Sequence, residues 1–229
     1  MFADARVLLQ LLRGMPRNLD PVARLESFYA PQAASYDRFR ERLLHGRSEL
    51  IVELKLPPRA RLIEFGAGTG SNLDLLGSRV CEFDSIELVD LCPSLLERAR
   101  ERSIHFPNVR VIAADACAYR PEAPADCVIF SYSLSMIPDW RRALGNAFDI
   151  LRPGGQLAVA DFMPPSAKYP VSRAFWRNWF GHDGVRLDDA HVSSLRQLFP
   201  LHRFVVGSAP VPYLPGLKVP YYRFLGTKS

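Results

Sequence analysis

"LIEFGAGTGSN", Leu62–Asn72, runs from an apolar stretch straight into a loop with three glycines, Gly66, Gly68 and Gly70. The residues before it, "RLIEF", read as a short buried strand. Those after it place Leu73, Leu75 and Leu76 at helical spacing, so the segment is strand, glycine-rich turn, helix. Glycine lets a backbone turn sharply and approach a ligand, and the N-terminus of the following helix offers free N–H groups and partial positive charge. The spacing narrows the ligand. The pattern is G-x-G-x-G, with Ser71 where a dinucleotide fingerprint has its third glycine, and no Gly-Lys-Ser/Thr follows, which excludes a P-loop.

Outward from this loop the same alternation repeats. "DSIELVD" (84–90), "VRVIAAD" (109–115), "DCVIFSYS" (126–133) and "GQLAVADF" (155–162) read as further strands. "PSLLERARERS" reads as a helix opened by Pro93, and "DWRRALGNAFDILRPGG" as one stopped by Pro153 and the paired glycines. Strands alternating with helices predict an α/β protein, a Rossmann-like, seven-stranded, mostly parallel sheet with helices on both faces. The chain of 229 residues, 48% hydrophobic and 23% charged, is expected to form one domain. Residues 1–60 read as a helical lid, 61–162 as the core, and 163–229 as an insertion after the fifth strand followed by irregular chain and the final strands.

Charge and composition exclude other classes. No run approaches the ~20 apolar residues of a membrane span, and no secretory leader pattern opens the chain, so a cytoplasmic protein is expected. Cys81, Cys92, Cys117 and Cys127 form no C-x-x-C pair, and the histidines show no close ligand spacing, so reduced thiols and no metal are expected. A net charge of +5 favours an anionic neighbour. Without a basic run or an RNP-like motif, nucleic acid is not the expected partner. "MFADARVLLQLLRGMPR" (1–17) groups leucines with arginines and suits either a lipid interface or packing on the fold.

Two carboxylates identify what the loop holds. Asp90 ends the second strand, where it can accept ribose hydroxyls, and Asp115 ends the third, where it can accept from the exocyclic amine of adenine. With a loop built for close backbone approach, they describe an adenosine carrying an amino-acid tail, S-adenosylmethionine. The stretch Arg61–Phe162, with "IEFGAGTG", "ELVD", "AADA" and "LRPGG", resembles the core of class I S-adenosylmethionine-dependent methyltransferases. The resemblance implies that Glu64 and the backbone of Gly66, Ala67, Gly68 and Gly70 face the methionine tail. It puts Asp90 and Leu91 at the ribose, Asp115 and Ala116 at the adenine, and Ser131 beside the cofactor.

The flanks, "FYAPQAASYDRFRERLLHGRSEL" (28–50), "FSYSLSMIPDW" (130–140), "FWRNWFGHDGV" (175–185) and "PYYRFLGTK", are similar to the N-methyltransferases of betaine-lipid synthesis. This second resemblance implies successive methylation of diacylglyceryl-homoserine to its trimethylated form, with a lipid substrate met at the inner face of the membrane. An apolar pocket would lower the ammonium pKa, and aromatic faces would hold the quaternary product. Tyr132 is expected to align the acceptor without an obligatory base, helped by Met136, Trp176, Trp179 and His182. Tyr29 and Tyr36, seven apart, are expected to form a lid, and Arg47 to answer the methionine carboxylate. The alternative is a class I methyltransferase acting on a soluble small molecule or a quinone.

Overall fold

The predicted strands join one sheet in the computed structural model, which describes residues 14–16, 20–32, 37, 42–211 and 216–229. β1 (Arg61–Phe65) lies between β2 (Ser85–Asp90) and β4 (Ala125–Ser131), with β3 (Val109–Ala113) outside β2 and β5 (Leu151–Phe162) outside β4, all parallel. β6 (Leu201–Pro210) and β7 (Lys218–Thr227) complete the order β3-β2-β1-β4-β5-β7-β6, with β7 antiparallel to both neighbours.

Side-chain alternation along the strands divides the core in two. Leu62, Leu88 and Ile129 pack beneath α2 (Arg47–Glu53), α3 (Asn72–Leu76), α4 (Pro93–Ser103) and α6 (Pro170–His182). Ile63, Phe65, Val128 and Phe130 pack beneath α5 (Trp140–Ile150) and α7 (Ala190–Leu198) on the other face. A smaller cluster of Met15, Phe28, Tyr29, Cys92 and Leu95 seats α1 (Pro21–Tyr29) on the start of α4.

Three local expectations are corrected. The helix before β5 ends at Ile150, not at the glycines, because Leu151 already pairs with Ala125 and "LRPGG" belongs to the strand. The carbonyls left open at that helix end are satisfied by Lys228, whose Nζ donates to Phe148 O (2.6 Å) and Leu151 O (2.7 Å). The chain after Phe162 is not irregular: it forms α6, α7 and the β6–β7 pair. The helix carrying Tyr29 ends at that residue in a 3₁₀ turn, Ala30–Gln32, so it does not run on toward position 36. Tyr36 itself lies outside the described residues.

Strand order reverses direction between β1 and β4, since the chain fills β1, β2 and β3 on one side before returning to β4. A crevice opens at the carboxyl ends of the strands at such a point.

Candidate functional site

The glycine loop turns across this crevice. Gly66 N and Ala67 N both donate to Val89 O (2.8 and 3.1 Å), tying β1 to β2 at their carboxyl ends. Each glycine has its own reason. Gly66 (φ +68°) passes so close to Ser133 that a Cβ would sit 2.4 Å from the serine Cβ, whereas Gly70 (φ +69°) makes room for Leu88 and Ala99 and packs helix on sheet. Gly68 (φ +56°) meets only Leu95, at 3.8 Å, and bares its backbone toward a cavity of about 290 Å³. Gly70 does not line that cavity.

Asp90 fixes the loop from β2. Its Oδ2 accepts from Gly68 N (2.8 Å) and its Oδ1 from Cys92 N (2.9 Å). Each oxygen keeps a further lone pair for a ligand. Burial raises the carboxyl pKa, and the backbone hydrogen bonds from Cys92, Gly68 and Leu91 oppose the rise. Asp115, just beyond β3, accepts from Cys117 N (2.8 Å) and turns Ala116 and Cys117 into the cavity wall.

Below the loop a buried polar chain runs from Glu64 to Arg47. Asn72 Nδ2 donates to Glu64 Oε1 (2.7 Å), while Arg47 donates to Asn72 Oδ1 through Nε (3.1 Å) and Nη2 (2.7 Å) and to Ser71 Oγ (2.6 Å). Burial pushes the Glu64 carboxyl up to about 7, with the Arg47 charge and the Asn72 hydrogen bond pulling against it and the Asp90 charge adding to it. Sequence reading missed Asn72, although its position at the start of α3 faces both Glu64 and Arg47.

Tyr132 follows β4 at φ +56°, a left-handed conformation that costs a non-glycine residue. Tertiary bonds hold it there. Its N donates to Ala160 O (2.7 Å), its hydroxyl to His45 O (2.6 Å), and its ring stands edge-on to Phe162 at 4.6 Å. Burial drives the phenol pKa upward, so the hydroxyl stays protonated and committed to His45. Next to it, Ser135 N and Oγ bind the buried Asp161 (2.8 and 2.7 Å), and Met136 Sδ accepts from Tyr29 Oη (3.3 Å).

The cavity runs along the carboxyl edge of β3-β2-β1-β4, about 14 Å for three strand spacings. It gathers Tyr29, Arg47, Glu64, Ala67, Asp90 and Leu91, and from farther along the chain Asp115, Ala116, Ser131, Tyr132 and Met136. It does not gather the insertion. Trp176 is buried and stacks on Phe180 (5.3 Å), and Trp179 lies on the outer surface. His182, expected to help align the acceptor, ends α6 outside the cavity. Its carbonyl accepts from Met15 N (2.9 Å) and its ring lies against Gly14.

Two ties close the site from the N-terminal side, and neither was read from the sequence. Glu26 of α1 accepts from Ser94 N (3.0 Å) at the start of α4, where a carboxylate meets the positive end of the helix. Asp37 accepts from Thr69 Oγ1 (2.6 Å) and Arg102 Nη2 (2.7 Å), and Arg102 also reaches Thr69 O, which clasps the lid to the glycine loop. Among the described residues there is no cluster of three metal-ligating side chains and no helix long and apolar enough to cross a membrane.

The chain matches the methyltransferase domain family over residues 36–203. It is 30% identical over 189 residues to the 2-phytyl-1,4-naphtoquinone methyltransferase of Thermosynechococcus vestitus, covering 77% of this chain and 84% of the relative. It is also 30% identical to the trans-aconitate 2-methyltransferase of Variovorax paradoxus, over 61% of this chain but only 52% of the relative, so it spans about half of that protein's length. The solved YcgJ protein of Bacillus subtilis superposes with a TM-score of 0.69 at 14% identity, over 80% of this chain and 98% of that one, a likeness of fold.

Proposed function

Because the chain belongs to the methyltransferase domain family and is an S-adenosylmethionine-dependent methyltransferase, we propose that its acceptor is a small molecule with a neutral, apolar body, of the quinol class. The residues present suit the cofactor. Asp90 keeps lone pairs for two hydroxyls, Gly68 leaves its backbone open to the cavity, and Arg47 retains its Nη1 donors for a carboxylate after serving Asn72 and Ser71. When bound, S-adenosylmethionine supplies an electrophilic methyl on a positively charged sulfur.

The chain's own part is alignment and exclusion of water. Tyr132, fixed by His45 and Phe162, sets the wall against which an acceptor rests, and Tyr29 with Met136 closes over it. One observation carries the choice of acceptor. The wall is apolar (Leu44, Tyr132, Met136 and Ile137), and the charged lining residues are five carboxylates, Asp37, Glu64, Asp90, Asp115 and Asp139, against two guanidiniums, Arg24 and Arg47. A tricarboxylate such as trans-aconitate would find no matching set of cations there, since Arg47 already serves Asn72 and Ser71. The Thermosynechococcus relative carries a quinone in its name, and its similarity supports the same class.

N-methylation of diacylglyceryl-homoserine is the weaker reading. Trp176, Trp179 and His182, expected to enclose the ammonium, lie outside the cavity, and the relatives named above act on a quinone or on trans-aconitate. The test incubates purified protein with methyl-labelled S-adenosylmethionine and, separately, a naphthoquinol lacking the ring methyl, trans-aconitate, and diacylglyceryl-homoserine. Label is expected in the quinol. Label in either other acceptor and none in the quinol overturns the assignment, while calorimetric titration of the cofactor shows independently that the site is competent.

A further inference from the structure

We propose that the outer face of α6 is a docking surface for an anionic lipid bilayer. Val171, Phe175 and Trp179 follow one another at i, i+4 and i+8, so they form a single stripe along the helix. They are 82%, 43% and 42% exposed, and Tyr169, just before the helix, is 65% exposed. The inner side is already satisfied, since Trp176 and Phe180 are buried in the main core. Phe175 touches Trp176 along one edge only, and four large apolar groups left this open to water mark a surface with a partner.

Charge selects the partner. From Met163 to His182 the chain carries Lys168, Arg173 and Arg177 and no acidic residue, although the protein as a whole has 24 acids to 29 bases. Arg173 is taken by Asp189 and Arg177 stands on the flank turned away from the stripe, which leaves Lys168, just before the helix and next to Tyr169, as the exposed cation at its edge. Aliphatic and aromatic side chains with a tryptophan and a basic neighbour match the boundary between headgroups and acyl chains of a bilayer with anionic lipid.

The same helix is coupled to the cavity. An unbroken series of ring contacts runs from the cavity wall outward: Tyr132 to Phe162 (4.6 Å), Phe162 to Phe180 (4.3 Å), Phe180 to Trp176 (5.3 Å), Trp176 to Phe175 (5.2 Å) and Phe175 to Trp179 (5.8 Å). A bilayer bound at α6 is thus held at a fixed position relative to the site where an apolar acceptor is received. Binding of this kind does not require that the acceptor be a quinol, and it is read without any acceptor present.

The experiment sediments the full chain with vesicles of pure phosphatidylcholine and with vesicles containing phosphatidylglycerol, across a range of salt. Binding is expected to the anionic vesicles and to fall as salt rises. V171E/F175E is expected to bind at least tenfold more weakly, and K168E about fivefold or more, from the ~1 kcal/mol carried by a basic residue near such a surface. Trp140 and Trp176 are buried, so the vesicle-induced blue shift of tryptophan emission should come from Trp179 and vanish in W179F while sedimentation persists. Unaltered thermal unfolding of the exposed-site variants confirms that they fold. Three results overturn the proposal: no sedimentation of the wild type, equal binding by V171E/F175E, or a wild-type dimer that this variant converts to monomer, which would show a second copy on the stripe.

Discussion

Two helices bear on the same cavity, α1 by lining it and α6 through Phe162 and Tyr132, and they are held by opposite means. α1 rests on a small apolar cluster and is fastened by carboxylates: Glu26 on the start of α4, with Asp37 farther along on Thr69 and Arg102. α6 has no acid and is fastened by stacked rings, Trp176 and Phe180 over Phe162. Hydrogen bonds to charged groups exchange readily with water, so their net worth is modest and they can open and reclose. Buried rings have no such substitute in water, and opening them exposes their whole apolar area. The difference predicts that the N-terminal side of the site opens more readily than the other. A cofactor exchanging past α1 need not disturb the wall that positions the acceptor.

The contrast breaks most severely at α6. Trp176→Ala should cost about 3–5 kcal/mol of folding stability, because it empties a buried site ringed by Phe175, Phe180 and the core. Denaturant unfolding measures this, and a loss below 1 kcal/mol would mean that α6 is no anchor.

Next comes the pH dependence of the polar chain shared by both sides. Glu64 is raised from about 4.5 to about 7, so its protonated form is favoured by folding. Its contribution is fully present below about 4.5 and is lost as pH rises through about 7, a change of up to ~3 kcal/mol. Glu64→Gln keeps an acceptor for Asn72 and removes the ionisation. The stability difference between Gln variant and wild type should therefore grow from pH 5 to pH 8. A constant difference would place the titration elsewhere, for example at Asp161, which burial raises to about 6.

Smaller effects are expected on the lid. Asp37→Ala removes two hydrogen bonds and should weaken cofactor binding by roughly tenfold through faster release, with ~1 kcal/mol or less off global stability. Stopped-flow displacement separates release from association, and an unchanged release rate would argue against a clasp. Glu26→Gln should do least, a few tenths of a kcal/mol at the start of α4, detectable as raised amide exchange in α1.

What the sequence disclosed follows from periodicity and punctuation. Strands β1, β2, β4 and β5 are apolar runs ended by Gly, Asp or polar loops, and the acids Asp90 and Asp115 stand at strand ends, so both the sheet and one end of the site were readable. Asp37 was not, because a single side chain reaching across 32 residues to Thr69 leaves no local pattern. The two final strands were expected but not placed, because β6 is an edge strand with mixed exposure and no clean alternation. The tryptophans misled for a physical reason. "FWRNWF" puts aromatics on two sides of one helix, and composition cannot tell which side meets the core.

The placement of β7 has a consequence for the order of assembly. β6 is made first, yet it reaches the sheet only through β7, which pairs with it residue for residue from Leu201↔Thr227 to Pro210↔Lys218 and then with β5 from Gln156↔Thr227 to Phe162↔Tyr221. During synthesis the parallel half can close while β6 emerges with no neighbour. The two late strands can then pair with each other before β7 meets the edge of β5. A ribosome stalled before residue 218 would carry a five-stranded sheet whose open edge, β5, is the strand that holds Ala160 against Tyr132.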